Sequence, residues 1–423
     1  MRALNLAPIT ARPVTNEGKS HMSQEAAATL KPLVLKSQAD RRLKKGHLWI
    51  YSNEVDTKQS DLKAFEPGEQ AQVLNHAGKS LGIATINPST LICGRLVSRE
   101  LKYPLNKSLL VHRIKQALAL REACFSAPYY RLVYGDSDLL PGLVVDRFGE
   151  YLVVQIATAG MEACRDDVVE ALQQVLRPTA ILLRNDHSAR TLEGLPEEVI
   201  AIGDVPEAVD LVENGVQFIA PIAEGQKTGW FYDHRENRAL LQRLAPGKRV
   251  LDVFSYVGGW GVQAAAAGAS EVVCVDASEQ ALDWVGENAA INGLEDRVQG
   301  LHGKAVPVLK QLAASDEKFD IVVLDPPAFI KRRKDQKSGE AAYRHINELA
   351  MKLLPKDGML VSASCSMHLQ RDTLTEIVRS SARHRDRHAQ IFHQGGAGAD
   401  HPVHPAIVET DYLKAVFARV FMP

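Results

Sequence analysis

The sequence predicts an α/β protein in three parts: a small β-rich domain, a central α+β domain, and a C-terminal domain built on a mostly parallel sheet. Three observations lead there. Strand-like text at "RVLDVFS" (249–255), "EVVCVDA" (271–277), "VQGLHG" (298–303), "FDIVVLD" (319–325) and "GMLVSAS" (358–364) alternates with helical text at 258–267, 278–291, 304–314 and 340–354, the rhythm of βαβ units. Runs such as "IVVL" are apolar without alternation, which fits strands covered on both faces. Upstream of about residue 100 the pattern changes to short strands broken by "PGE", "HAGKS" and "NPST", which are turn signals.

In chain order, residues 1–30 lack periodic apolar spacing and are expected to form a disordered tail, with Met22 a second candidate start. Residues 31–104 hold the short strands "LVLKS", "AQVLN", "SLGIATI" and "TLICGRLVS". Near their start "DRRLKKGHLWIYSNEV" sets Arg41, Arg42, Lys44 and Lys45 beside Trp49 and Tyr51. Cations for phosphates and rings for stacking suit RNA; a solvated helix end before a strand with core aromatics explains the same text. Residues 105–210 read as helix, strand, turn, strand, strand, helix, strand. Asp136, Asp138 and Asp146 fall in its turns, where acids are common without metal, and no metal site is expected. Residues 211–423 form the α/β domain.

The chain of 423 residues is 45% hydrophobic and 24% charged, an ordinary composition for a folded protein. No apolar run approaches the length of a membrane span. Five cysteines at 93, 124, 164, 274 and 365 form neither a disulfide framework nor a CxxC pattern, so a cytoplasmic setting is expected. The net charge of −1 excludes a globally basic nucleic-acid binder and leaves local patches.

Chemistry-bearing residues collect at the strand ends of the last domain. "LDVFSYVGGWG" runs from a strand into a helix, and Gly258, Gly259 and Gly261 allow close approach of a ligand to the backbone. The spacing is not G-x-G-x-x-G, which argues against a dinucleotide and an NAD(P)-linked oxidoreductase. The next strand ends at Asp276, seventeen residues after Gly259, where an acid accepts two ribose hydroxyls. An adenosine-containing cofactor follows. "LDPPAF" then puts Asp325 at a strand end, with Pro326 and Pro327 stiffening the turn and Phe329 offering a ring for stacking, a set suited to a planar base. "SASCSM" puts Cys365 at the same edge, as a nucleophile poised over that base. Cys274, inside "EVVCVD", reads as core. "KRRKDQK" supplies Lys331, Arg332 and Arg333 beside the presumed pocket, for RNA phosphates.

"DVFSYVGGWG", "VDAS", "LDPPAF" and "SCS" resemble the S-adenosylmethionine-dependent methyltransferases with a Rossmann-like core. "GQKTGWFYDHRENR" (225–238), "DHPVHPAIVETDYLK", "RRLKKGHLWIYSNEV" and "DSDLLPGLVVDRFGEYLVVQ" narrow the resemblance to the bacterial 23S ribosomal RNA cytosine-C5 methyltransferases of the large-subunit I type, over roughly 32–423. The resemblance implies a PUA domain, a central domain and a class I methyltransferase domain. It implies S-adenosyl-L-methionine as cofactor, held by Gln226, Lys227, Thr228 and Gly229 and by the loop from Phe254 and Ser255 through Gly258, Gly259 and Gly261, with Asp276 on the ribose. It places Asp325 at the cofactor as well as making it the base-binding acid, and it makes Cys365 the nucleophile. The partner implied is 23S ribosomal RNA, naked or in an early assembly intermediate, with a homodimer among the assemblies allowed. Lys304 stands where many relatives carry an acid for the adenine amino group. C5-methylation of uridine, N-methylation, and a non-catalytic RNA-binding assembly factor stay open as alternatives.

Overall fold

The computed structural model describes residues 30–422, so the expected tail, Leu30 apart, lies outside the described residues. The first sheet contains β1 (Lys31–Val34), β2 (Trp49–Tyr51), β3 (Gln70–Leu74), β4 (Ser80–Ile86) and β5 (Ile92–Ser98), in the order β1-β3-β4-β5-β2. Alternation does what period-two side chains must: along β3, Ala71 and Val73 turn into a core with Leu33, Ile50 and Ile86. The helix Arg41–Lys44 buries only Leu43 and leaves its basic residues outside.

The second sheet holds β6 (Tyr129–Tyr134), β7 (Leu143–Phe148), β8 (Tyr151–Ile156), β9 (Ala180–Asn185) and β10 (Glu198–Ile202), in the order β10-β9-β8-β7-β6. Helix Arg165–Leu176 makes the crossover between parallel β8 and β9. Asp136 and Asp138 lie in the turn after β6 as expected, whereas Asp146 lies within β7 and not in a turn; each holds a neighbour. Asp136 accepts the indole N–H of Trp49 at 3.0 Å, tying this sheet to the first. Asp138 pairs with Arg121 at 2.7 Å and Asp146 with Arg131 at 2.8 Å.

A hairpin of β11 (Val209–Glu213) and β12 (Val216–Ala220) precedes the last sheet. That sheet contains β13 (Arg249–Val253), β14 (Glu271–Asp276), β15 (Val298–His302), β16 (Ile321–Leu324), β17 (Asp357–Ser364), β18 (His388–Gly395) and β19 (Lys414–Phe421), in the order β15-β14-β13-β16-β17-β19-β18. The first five are parallel, and β19 runs antiparallel between β17 and β18. Both faces are buried. Val250, Val272 and Val323 enter one core, and Leu251, Val273 and Val322 the other, which is why these strands carry apolar residues without alternation. Strand order reverses between β13 and β16, and a crevice opens at the carboxyl ends there. Among the described residues no helix is long and apolar enough to cross a membrane.

Candidate active site

A cavity of about 650 Å³ occupies that crevice. Its walls include Gln226, Lys227, Phe254, Ser255, Gly259, Asp276, Asp325 and Cys365. The walls come from loops after β13, β14, β16 and β17 and from the segment before β13, so the fold gathers residues more than 130 positions apart.

Asp276 ends β14 and is locked by the backbone. Its Oδ2 accepts the Tyr256 N–H at 2.9 Å and its Oδ1 the Ser278 N–H at 2.9 Å. Each oxygen keeps a lone pair for a further donor. The loop after β13 turns sharply, with Phe254, Tyr256 and Gly258 all at positive φ. Gly261 is required by packing: a Cβ there would lie 2.4 Å from the Cys274 sulfur. Its N–H donates to Asp252 Oδ2 at 2.9 Å, which anchors the start of the following helix. Ser255 Oγ is buried beside the cavity with no protein partner.

Asp325 follows β16 directly. Its Oδ2 accepts the Trp260 indole N–H at 3.0 Å, and its Oδ1 lies 3.2 Å from His234 Nε2. The amide of Asn237 donates to Gly396 O at 2.8 Å, which fixes its orientation, and the same NH2 reaches His234 Nδ1 at 3.1 Å. Nδ1 is therefore the acceptor and Nε2 carries the proton, close to Asp325 Oδ1 but not aligned on it as a hydrogen bond. Burial alone would raise the Asp325 carboxyl; the His234 charge and the indole donor outweigh it and hold it below the usual range. Burial likewise lowers His234, but the Asp325 charge shifts it upward on balance.

Cys365 is the first residue after β17, half-buried, with its sulfur 3.9 Å from Pro326 O in the "DPPAF" turn. Burial pushes its thiol up to about 11, Asp325 and Asp233 push the same way, and Lys227 opposes them. Cys274 is fully buried within β14.

The chain matches the S-adenosylmethionine-dependent methyltransferase family model over residues 190–411 and a PUA-like domain model over 33–99. It is 35% identical to the ribosomal RNA large subunit methyltransferase I of Erwinia tasmaniensis over 397 residues, 92% of this chain and 99% of that one. It is 35% identical to the protein of the same name from Tolumonas auensis over 392 residues, 91% and 98% of the two chains. The chain belongs to the ribosomal RNA large subunit methyltransferase I family. Its fold is also that of SMU.776, solved in complex with SAH (TM-score 0.80, 21% identity, 92% and 100% of the chains). A protein from Streptococcus mutans matches similarly (TM-score 0.78, 21% identity, 92% and 100%).

S-adenosylmethionine is thus the cofactor of this methyltransferase, and the cavity offers it polar groups: Asp276 presents two fixed acceptor oxygens, and the buried Ser255 Oγ lacks a partner. Lys304, in place of the expected acid, is exposed at the rim.

Several expected contacts fall elsewhere. Thr228 is fully buried and turns away from the cavity, donating to Asp146 Oδ2 at 2.6 Å. Gly229 packs on Pro221, and Gly258 on Val262 and Val285. Neither glycine lines the cavity; each supplies a positive φ to a loop that does. The Phe329 ring packs on Tyr343, with centroids 4.8 Å apart, instead of facing the base pocket. Of the first basic cluster, Arg42 is paired with Glu54 at 2.9 Å and Lys44 with Asp40 at 2.5 Å. Arg41 and Lys45 are exposed. Lys331, Arg332 and Arg333 are exposed beside the "DPPAF" turn.

Asp233, His234, Trp260 and Tyr412 also line the cavity and Lys414 reaches Ser366 beside it, although no local sequence pattern singles these five out. The first two lie within "FYDHR" and the last two within "DYLK", segments whose specificity was visible but whose convergence was not. Asp233 faces the cavity, accepts the Tyr412 hydroxyl and keeps Oδ1 unpartnered.

Proposed function

We propose that this methyltransferase forms 5-methylcytosine in 23S ribosomal RNA, with Cys365 adding to carbon 6 of the target base. One observation carries the reading: Cys365 and Asp325 stand at the ends of adjacent parallel strands and face one cavity with Asp276. A methyltransferase acting on an exocyclic nitrogen would have no use for a thiol at that position. The names of the relatives, which specify large-subunit ribosomal RNA, support the substrate class. The PUA-like domain and the exposed Lys331–Arg333 loop support an RNA partner.

Carbon 5 of cytosine is too poor a nucleophile to take a methyl group unaided. S-adenosylmethionine supplies an electrophilic methyl when bound. Cys365, as thiolate, forms a bond to carbon 6; the C5–C6 π electrons shift to make a C4–C5 double bond, the C4–N3 pair moves onto N3, which takes up a proton, and carbon 5 is left enamine-like. Asp325, held by His234 and Trp260, is placed to bind the N3/N4 edge and steady the protonated adduct. After methylation, loss of the C5 proton and cleavage of the sulfur–C6 bond restore the double bond and release the thiol. Pro326 and Pro327 keep the base-binding turn rigid. The target base reaches the crevice from a single strand or flipped from a helix.

The test is 23S RNA transcribed with 5-fluorocytidine. Fluorine cannot leave as a proton does, so the wild type is expected to stay covalently bound and to shift on a denaturing gel. Cys365→Ser is expected to bind S-adenosylmethionine, transfer no methyl group and give no shifted band. Near-normal turnover by Cys365→Ser would overturn the covalent reading and favour methylation of a nitrogen.

A further inference from the structure

Lys414 opens β19 and is only 4% exposed, yet no carboxylate pairs with it among the described residues. Its ammonium donates to Ser366 O at 2.7 Å and to Tyr412 O at 2.7 Å. A lysine ammonium carries three donors, so one N–H is left over. Buried charges are ordinarily paired, because leaving water is costly, and a cation retained here needs an anion nearby.

The strand register shows where that anion stands. Lys414 is paired with Ser364 across β17 and β19, and its Nζ reaches the carbonyl of Ser366. The side chain therefore runs alongside residues 364–366, with Cys365 between its two anchor points. We propose that Lys414 is a positioning residue that sets a buried positive charge beside the Cys365 sulfur and so keeps the thiolate available for attack. This rests on the reading of Cys365 as nucleophile.

The charges around the sulfur call for such a partner. Asp325 and Asp233 both face it and disfavour the thiolate, and Lys227, on an exposed loop, is the cation that opposes them from the cofactor side. Tyr343, which bonds to Ser364 and Ser366, lies within reach of the same charge. On the lysine side, burial pulls the ammonium down to about 8, Cys365 and Asp411 favour its charged form, and Arg371 disfavours it. Two carboxylates thus stand against one exposed lysine on the cofactor side, and Lys414 approaches residues 364–366 from the opposite strand, where water screens a charge less.

Iodoacetamide alkylation of Cys365, followed residue by residue by peptide mass spectrometry from pH 6 to 11, tests the pairing. Lys414→Met keeps the apolar stem and removes the charge. Its alkylation profile is expected to move to higher pH, with the rate at pH 8 down about tenfold, the thiolate loss for one pH unit. S-adenosylmethionine affinity should be unchanged, and Lys414→Arg should alkylate faster than Lys414→Met. A profile identical to wild type would overturn the proposal. If Lys414→Met does not fold, the Lys414 Nζ titration is followed by 15N NMR in wild type and Cys365→Ser. Loss of the thiol is expected to alter that titration, and no change would equally overturn the pairing. The 5-fluorocytidine trap separates the two readings: a wild type that fails to trap sinks the nucleophile, whatever the alkylation profile shows.

Discussion

His234 Nε2 lies 3.2 Å from Asp325 Oδ1, and this contact sets the charge state of the acid at the centre of the site. Asn237 holds the histidine from behind, and the His234 ring packs on Trp260 with centroids 5.0 Å apart. Together these residues keep a carboxylate ionised in a crevice that would otherwise favour its protonated form.

His234→Phe preserves the ring packing and removes the Nε2 proton. With burial unopposed from that side, the Asp325 carboxyl pKa rises. The carboxylate is then lost at higher pH than in wild type. The acid limb of the kcat/KM profile is expected to move toward higher pH, with methyl transfer falling most at the acid end of the range. Trp260→Phe, which removes the indole donor, should act in the same direction. An unmoved acid limb in both variants would detach Asp325 from the chemistry.

Asp276 is expected to act on binding alone. Asp276→Ala removes the acceptors for the ribose and frees the Tyr256 and Ser278 amides that now fix the loop. S-adenosylmethionine affinity measured by calorimetry should weaken by about 1.5–3 kcal/mol, the range for hydrogen bonds to a charged group. Unchanged affinity would remove Asp276 from the cofactor site. Lys304→Asp, which supplies the acid that the resemblance implies at this position, is expected to tighten binding in the same assay.

The RNA prediction divides the first basic cluster. Arg41 and Lys45 meet no carboxylate among the described residues, whereas Arg42 grips Glu54 and stacks 4.7 Å over the Tyr51 ring. Arg41→Ala with Lys45→Ala should weaken RNA binding and reduce its salt slope by about 1.4 on a single strand, for two phosphate contacts. Cofactor affinity should not change. Arg42→Ala should instead cost domain stability, about 0.2–1 kcal/mol for a largely solvent-screened pair. An unaltered salt slope in the double variant would mean that this helix end does not touch phosphate.

The strand ends were legible because chemistry and pattern coincide there. Each of "VFSYVGG", "VDAS", "LDPPAF" and "SCS" closes an apolar run, and in a parallel sheet every such run ends on the same side. Residues whose roles depend on a remote partner were not legible. Thr228 reads as a loop contact to the cofactor, but its hydroxyl is spent on Asp146, 82 residues earlier in the chain. Tyr412 reaches Asp233, and Lys414 reaches Ser366, because β19 inserts antiparallel between β17 and β18. Neither "HAQIFHQG" nor "KAVFARVF" says where in the sheet it sits. The basic cluster misled for a related reason: charge counts do not reveal which cations already have a carboxylate nearby.

Asp252 yields a prediction about pH and stability. It lies fully buried in β13, with Oδ2 on the Gly261 N–H and Oδ1 without a partner. Burial pushes its carboxyl up to about 7, and Asp325 and Asp276 push the same way. Its ordinary value is 3.8, so between roughly that pH and 7 the folded chain holds a proton that the unfolded chain has released. The stabilisation is full below the lower value and is lost as pH rises through the upper one. Asp252→Asn keeps an oxygen for Gly261 and cannot ionise. Relative to wild type, the variant's thermal midpoint should therefore climb from pH 5 to pH 8, with the variant gaining most at the alkaline end. Scanning calorimetry on both proteins at pH 5, 6.5 and 8 reads this as a difference, which cancels every group the two chains share. A variant-minus-wild-type difference that stays flat across that range would show that Asp252 does not titrate there.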